Sequence, residues 1–237
     1  MNRNAFIGRN IEILFKNSIG DNPSAVAKIQ AYFGITSRYL QSMSTGMQNE
    51  KVDVKMEFAD GFNVDANIKA FKQSSASYNQ LTRTGIAHFC ELFFDKDMQT
   101  ELENLFIQKA RDRHAKSFTE AIAVKVGEKA DLILKWAFSF KQSREILVIY
   151  ERDTSMMYIY AMHEVFKKLG KETKLSAKGS IAIGKCVVIQ RKGGNGVHSL
   201  DIPKDSLKHP GNNVQVKLKM KTFISEMNDI LLAQYHI

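Results

Sequence analysis

The amino-acid sequence predicts an α/β fold, in which a mixed β-sheet is flanked by helices and is followed by a strand-rich, basic part. Three observations support this class. Apolar residues have helical spacing near the start of the chain, two alternating stretches separated by turn residues follow at 51–71, and strand patterns dominate from Lys174 onward. With 237 residues and 44% hydrophobic content, the chain can bury a full core as one large domain or two small ones.

The individual elements are predicted from the same periodicities. Helices are expected at 4–19, 24–33, 80–94, 98–115, 128–141, 156–169 and 223–233. Strands outside the alternating stretches are expected at 145–150, 180–191 and 214–220. Leu132, Trp136 and Phe140 have the spacing of the buried face of one helix.

The two alternating stretches near residue 60 are typical of a β-hairpin. If the loop comprises residues 59–61, Asp53 lies directly opposite Asn67, with the two side chains roughly 5 Å apart. Lys69 shares their face, because alternate residues of a strand point to the same side. A two-residue loop would turn Asn67 and Lys69 to the other side of the sheet, so this grouping depends on the loop length.

Asp53, Asn67 and Lys69 would together suit phosphodiester hydrolysis. The carboxylate of Asp53 and the side-chain carbonyl of Asn67 are oxygen ligands of the kind that Mg²⁺ prefers. The cation would polarise a phosphate, and the ammonium group of Lys69 would offset the charge that develops on it. A solvated hairpin face, with an ion pair between Asp53 and Lys69, explains the same residues without any chemistry.

Positive charge is concentrated in one segment of the chain. Residues 167–221 hold thirteen Lys or Arg against three Asp or Glu, a net charge of +10, whereas the whole chain carries +9. Such an excess indicates a polyanionic partner, and the phosphate backbone of nucleic acid fits it better than a small substrate. The segment also contains side chains of the types that contact base edges: Gln190, Arg191, Lys192, His198, Asn213, Gln215 and Lys217.

Several motifs resemble the small type II restriction endonucleases of the HinP and MspI group, within the PD-(D/E)xK nuclease superfamily. The segment 178–196 is similar to a HinP-type segment in which a strand ends in Gln-Arg-Lys-Gly-Gly, and 214–217 is similar to the strand that follows it. Asp53 with Asn67-Ile68-Lys69 resembles an MspI-like form of the nuclease motif, in which an amide replaces the second carboxylate. Residues 78–80, Tyr-Asn-Gln, resemble a DNA-probing loop of the same group.

The resemblance implies an Mg²⁺-dependent restriction endonuclease that cuts duplex DNA at a four-base palindrome containing G and C, acts as a monomer and has a cognate DNA methyltransferase as its functional partner. It implies Asp53 and Asn67 as metal ligands, Lys69 as catalytic, and Glu12 as a further acid near the metal, although a surface position suits Glu12 equally well. Because Asn67 is neutral, the number of metal ions stays open. With the basic segment, it implies DNA contacts by Tyr78, Gln80, Lys178, Ser180, Gln190, Arg191, Lys192, His198, Asn213, Gln215 and Lys217.

On this interpretation residues 1–115 form a catalytic part with a nuclease core, and residues 116–237 form a DNA-recognition part, unless the two make one intertwined domain. Two alternatives stay open. One is a nuclease of the same superfamily that acts in repair or without sequence preference, and the other is a noncatalytic DNA-binding regulator.

Other classes of site are disfavoured. The stretch from Gly179 to Lys185 resembles a phosphate-binding loop, but Cys186 supplies no hydroxyl for magnesium and the apolar interior predicts a strand. The histidines do not have the spacing of a zinc hydrolase. Cys90 and Cys186 are expected as buried thiols in a reducing compartment, and the sequence has no apolar run of membrane-spanning length, so we expect a cytoplasmic protein.

Overall fold

The computed structural model describes residues 3–45, 52–72, 78–112, 114–141, 144–192, 201–203, 206, 209 and 212–237. The helices are α1 (Arg3–Ser18), α2 (Pro23–Phe33), α3 (Ile86–Phe93), α4 (Lys96–Arg111), α5 (Glu120–Glu128), α6 (Ala130–Phe138), α7 (Met162–Lys168) and α8 (Met220–Glu226). The strands are β1 (Tyr39–Ser44), β2 (Val54–Phe58), β3 (Asn63–Phe71), β4 (Tyr78–Gly85), β5 (Glu145–Glu151), β6 (Met156–Ala161), β7 (Thr173–Leu175), β8 (Ile181–Ile183), β9 (Val187–Lys192), β10 (Asn213–Lys219) and β11 (Leu231–His236).

The chain divides into two compact units, each assembled from separate stretches of sequence. Unit 1 comprises Met1–Asn79, Phe140–Lys168 and Ile224–Ile237, and unit 2 comprises Gln80–Ser139 and Leu169–Phe223. The predicted boundary between residues 115 and 116 falls inside unit 2. The chain therefore leaves each compact unit and returns to it.

Unit 1 contains a six-stranded sheet with the order β1-β2-β3-β5-β6-β11. Strands β3 and β5 pair in parallel, and the other neighbours pair antiparallel. This confirms the predicted mixed sheet. Alternate side chains of β2 and β3 are buried with Phe15 of α1 and Ile29 of α2: Val54, Met56, Phe58, Val64, Ala66 and Ile68. This burial leaves the odd-numbered residues of the hairpin on the other face, which sets the position of the candidate site.

Unit 2 contains a five-stranded sheet with the order β4-β10-β9-β8-β7. Helix α3 packs against β10 and helix α5 packs against β7. One face of β9 and β10 is apolar and buried, with Val187, Ile189, Val214, Val216 and Leu218. The alternate residues form the opposite, polar face.

Helical spacing was a poor guide where a segment pairs with another strand of a sheet. The predicted helix at 156–169 is wrong in its first half, because residues 156–161 form β6 between β5 and β11 and only 162–168 form α7. Likewise, residues 78–85 form β4 beside β10, and the helix predicted at 80–94 is confined to 86–93. Residues 220–226 form α8, and residues 231–233 of the predicted terminal helix instead begin β11. Sheet pairing overrides local spacing at these positions.

Two further predictions differ from the structure in detail. The predicted helix at 128–141 is interrupted at Lys129, and the phase of α6 leaves Leu132 54% exposed while Ile133 and Leu134 are buried. The predicted strand at 180–191 is two strands joined by a turn at Gly184, which has φ +52°. A Cβ atom there would lie 2.6 Å from the carbonyl oxygen of Gly170, so the turn requires glycine.

Several predicted features agree with the structure. The helices predicted at 4–19 and 24–33 correspond to α1 and α2, and the strand predicted at 145–150 corresponds to β5. Cys90 and Cys186 are buried free thiols, and the stretch after Gly179 forms β8 rather than a loop before a helix. None of the helices in the described parts of the chain is long and apolar enough to cross a membrane.

Candidate functional site

The hairpin of β2 and β3 pairs in the predicted register as far as Val54 and Ala66, and Asp53 is the next residue beyond that pair. The pairing runs from Glu57 opposite Asn63 to Val54 opposite Ala66, and the backbone N–H of Asp53 donates to the carbonyl of Ala66 at 3.1 Å. The loop is residues 59–61. Gly61, at φ +81°, donates its N–H to the carbonyl of Phe58, as expected for a hairpin loop of three residues.

Asp53 is held in place by the strand opposite it. Its Oδ2 accepts a hydrogen bond of 2.6 Å from the backbone N–H of Ile68, which lies between Asn67 and Lys69. Burial raises the pKa of the Asp53 carboxyl, and the positive charge of Lys69 together with this hydrogen bond lowers it in part. Asn67 is only 3% exposed, whereas Lys69 is partly exposed. The hairpin thus holds a carboxylate and an amide beside a lysine.

Glu12 joins this group from helix α1, which packs against β3. Burial raises the pKa of Glu12, the negative charge of Asp53 raises it further, and the positive charges of Lys69 and Arg9 lower it. These influences require Glu12 to lie within electrostatic range of both Asp53 and Lys69. The structure therefore places Glu12 near Asp53 and Lys69, and Asn67 adjoins Ile68, the residue whose N–H holds Asp53.

The oxygen atoms of this group fit a hard divalent cation. Among the described residues, no three or more His, Cys, Asp or Glu side chains are grouped so as to hold a metal ion, so the set consists of two carboxylates and one amide. Mg²⁺ is commonly held by one or two carboxylates and keeps several waters. A cation beside Asp53 and Glu12 would also offset the repulsion between the two carboxylates. The donor set is therefore suited to Mg²⁺.

Tyr78 and Asn79 are attached to the strand that carries Lys69. The side-chain amide of Asn79 donates to the carbonyl of Ala70 on β3 at 2.8 Å. Tyr78 is 49% exposed at the start of β4. These residues begin a strand rather than forming a loop, and Asn79 has an anchoring contact that the sequence analysis does not assign to it.

The polar face of unit 2 collects most of the residues that the sequence assigns to DNA binding. Lys192 pairs with Asn213 in the β9–β10 ladder, and Gln190 pairs with Gln215. Lys217 lies on the same face, and its pKa is lowered by burial and by the nearby charge of Lys192. We call the group Gln80, Gln190, Lys192, Asn213, Gln215 and Lys217 the polar face of unit 2.

The sequence analysis does not assign Lys174, which lies on the same side of the sheet as the polar face of unit 2. Lys174 on β7 pairs with Ala182, and Ala182 pairs with Val188, which lies opposite Lys217. Lys174 is exposed between the less exposed Thr173 and Leu175, so alternation within β7 would have identified it.

Arg191 lies on the opposite face from Gln190 and Lys192. Its guanidinium is 5.6 Å from the centroid of the Phe106 ring, and Nη2 donates to Oδ1 of Asn212, which is 3% exposed. Burial lowers the pKa of Arg191. The three residues that the sequence places together as DNA contacts are therefore divided between two faces of the sheet.

The remaining predicted DNA contacts lie in different surroundings. Lys178 is exposed in the turn between β7 and β8. The hydroxyl of Ser180 is hydrogen-bonded to the hydroxyl of Ser176 at 2.7 Å, which closes this turn. His198 lies outside the described residues.

No family model matches this chain, and no curated protein matches it in sequence. Among solved structures, the chain is similar to the restriction endonuclease MspI in complex with its cognate DNA, with a TM-score of 0.51 and 13% sequence identity. The similarity covers 87% of this chain and 82% of that chain. The chain therefore has a restriction-endonuclease-like fold.

Proposed function

We propose that this protein is an Mg²⁺-dependent type II restriction endonuclease, which hydrolyses duplex DNA at a four-base palindrome containing G and C. The observation that carries the proposal is the hydrogen bond from the backbone N–H of Ile68 to Asp53, because it sets this carboxylate beside Asn67 and Lys69. Glu12 of α1 adds a second carboxylate within electrostatic range of Asp53 and Lys69. The similarity in fold to a restriction endonuclease bound to its cognate DNA supports duplex DNA as the substrate.

In this proposal Asp53, Asn67 and Glu12 hold the cation by their side-chain oxygens. When bound, Mg²⁺ supplies Lewis-acid stabilisation of negative charge on the phosphodiester. The backbone N–H of Ile68 keeps the Asp53 carboxylate oriented, and the ammonium group of Lys69 offsets the charge that develops on the phosphate. In-line attack by water breaks one P–O ester bond, and the leaving oxygen gains a proton, so no covalent intermediate is required.

The polar face of unit 2 supplies the DNA contacts. Gln190 and Gln80 carry amides suited to base edges, whereas Lys192 and Lys217 carry charges suited to phosphates. Tyr78 is exposed for stacking near the site, and Lys178 is exposed for a phosphate contact. Arg191 supports this face indirectly, by holding Asn212.

The cellular setting of the proposal follows from the restriction activity. The enzyme acts as a monomer in the cytoplasm, where a cognate DNA methyltransferase protects the host DNA from cleavage. A methyltransferase reading frame beside the gene would support this part of the proposal.

The direct test is incubation of the purified protein with unmethylated phage DNA, with and without Mg²⁺, followed by mapping of the fragment ends. Discrete fragments that require Mg²⁺ are the expected result and give the recognition sequence. A smear would contradict sequence specificity and favour a repair or nonspecific nuclease. Intact DNA with a shifted mobility would contradict catalysis and favour a DNA-binding regulator.

A further inference from the structure

The buried side-chain amide of Gln215 is hydrogen-bonded to the exposed side-chain amide of Gln80. Gln215 is 2% exposed on β10, and its Nε2 donates to Oε1 of Gln80 at 2.6 Å. Gln80 lies on the neighbouring strand β4 and is exposed. The hydrogen bond therefore joins a fixed side chain to one that solvent and ligands can reach.

The orientation of the two amides follows from the burial of Gln215. Its Oε1 is buried and has no hydrogen-bond partner among the residues that the structure describes. Turning the amide by half a turn would bury the NH₂ group in that place and leave its N–H donors unpaired. Buried donors without a partner are rarer in proteins than buried acceptors with spare capacity. Gln215 is therefore expected to keep its NH₂ group toward Gln80.

This orientation decides what Gln80 offers to a ligand. Its oxygen is directed at the buried Gln215, so the NH₂ group is the polar group of this exposed side chain that remains for a ligand. A glutamine that offers both oxygen and nitrogen pairs with N6 and N7 of adenine. A glutamine that offers donors alone matches guanine instead, because N7 and O6 of guanine are both acceptors.

We propose that Gln215 is a positioning residue, which fixes the amide of Gln80 as a hydrogen-bond donor, and that this pair selects guanine at one position of the DNA site. The inference rests on the proposed function, because it needs a DNA site at which to act. It adds to that function the residue that sets the selectivity and the base that is selected.

The test uses the full-length protein and the site mapped with the wild type. Each guanine of the site is replaced in turn by adenine and by 7-deazaguanine, and single-turnover cleavage is measured for the wild type and Gln215→Met. At one position, the preference of the wild type for guanine over adenine is expected to fall about tenfold in Gln215→Met. At that position 7-deazaguanine is expected to slow the wild type and to have little further effect on the variant.

A second variant isolates the outward donor. Gln80→Glu keeps an oxygen that can accept from Gln215 but presents an acceptor where the NH₂ group was. It is expected to lose the guanine preference more completely than Gln80→Met. The general repulsion between a carboxylate and DNA slows cleavage at guanine and at adenine alike, so it cancels in the ratio of the two cleavage rates. Gln234→Met, at an exposed position on β11, is the control and should leave this ratio unchanged.

The outcomes separate the inference from the proposed function. If the wild type neither binds nor cuts DNA, the proposed function fails and the inference fails with it. If the wild type cuts while Gln215→Met and Gln80→Glu keep its guanine preference at every position, the inference alone is overturned. If Gln215→Met does not fold, as judged by its melting temperature, the result with Gln80→Glu decides.

Discussion

The polar groups of unit 1 and unit 2 are built by different kinds of strand pairing. In unit 1, β2 and β3 are joined by residues 59–61, so a local turn fixes which residues are opposite. In unit 2, β9 ends at Lys192 and its partner β10 begins at Asn213, while β4 comes from much earlier in the chain. Local pairing makes the residues brought together at the hairpin of unit 1 predictable from sequence, and long-range pairing makes the polar face of unit 2 much less so.

The two regions also differ in the electrostatics of their side chains. Burial raises the pKa of the two carboxyl groups of the candidate site, Asp53 and Glu12, so their ionised forms are destabilised by loss of solvent. On the polar face of unit 2, Lys192 is exposed and Lys217 is partly exposed, and each can meet a phosphate separately. We therefore expect single substitutions to have larger effects at the hairpin of unit 1 than on the polar face of unit 2.

Lys69→Ala should give the largest effect. Removing the ammonium group deprives the transition state of one electrostatic contact, and such losses slow catalysis about 10²- to 10³-fold. The measurement is the single-turnover cleavage rate at saturating enzyme, with DNA binding checked separately and expected to persist. Lys55→Ala, on the same face of the neighbouring strand and opposite Asp65, is the matched control and should cut normally. Substantial cleavage by Lys69→Ala would remove Lys69 from the catalytic group.

Asp53→Asn should distinguish the contribution of Asp53 to Mg²⁺ binding from its contribution to the stability of the fold. Because the folded-state pKa of Asp53 is raised, its ionised form destabilises the protein above that pKa, and this penalty disappears as the pH falls through it. The amide oxygen of Asn can still accept from Ile68, so we expect a higher melting temperature than the wild type in EDTA at neutral pH. Mg²⁺ at about 100 times its Kd should stabilise the wild type by about 2.7 kcal/mol and the variant much less.

The control for this comparison is Asp65→Asn, because Asp65 is another acidic residue of the same hairpin, on β3. It should retain the full stabilisation by Mg²⁺. An equal Mg²⁺ response from Asp53→Asn and the wild type would show that the cation binds elsewhere.

The fold was predictable where residues close in sequence determine the conformation, and not where the conformation depends on partners that are distant in sequence. The loop at residues 59–61 and the alternation around it were enough to predict the register of the hairpin as far as Val54 and Ala66, next to Asp53. The bond from Gln215 to Gln80 joins residues 135 positions apart, and no local pattern indicates it. Strand β6 was mistaken for helix for the same reason, since its conformation depends on pairing with β5 and β11.

The side of the sheet on which Arg191 lies is another feature that the local sequence does not show. In sequence it stands between Gln190 and Lys192, and all three have side chains suited to DNA. Alternation along β9 separates Arg191 from its two neighbours, but only the burial of Val187 and Ile189 shows which side faces the core. Residue type alone therefore assigns Gln190, Arg191 and Lys192 to one surface, although neighbouring residues of a strand point to opposite faces.

Arg191→Ala should therefore affect stability more than selectivity. The substitution removes the contact with Phe106 and leaves the buried Oδ1 of Asn212 without this donor, which should cost about 1–3 kcal/mol in the free energy of unfolding. Denaturant unfolding measures this loss, and binding to cognate and random DNA should weaken alike. Lys192→Ala, one residue away on the other face, should leave stability nearly unchanged. A selective loss of cognate binding by Arg191→Ala would instead support a direct base contact.

Lys217→Ala should give the smallest effect and should act on every DNA sequence alike. Lys217 and Lys192 repel each other on the polar face of unit 2, so a phosphate between them would relieve unfavourable charge. Losing one phosphate contact lowers the slope of log K against log salt by about 1, without changing the preference for the cognate site. Lys125→Ala is the matched control, because Lys125 is already paired with Glu128 and should leave the slope unchanged. If Lys217→Ala weakened cognate binding alone, Lys217 would contact a base, and the polar face of unit 2 would depend on single residues as strongly as the hairpin of unit 1.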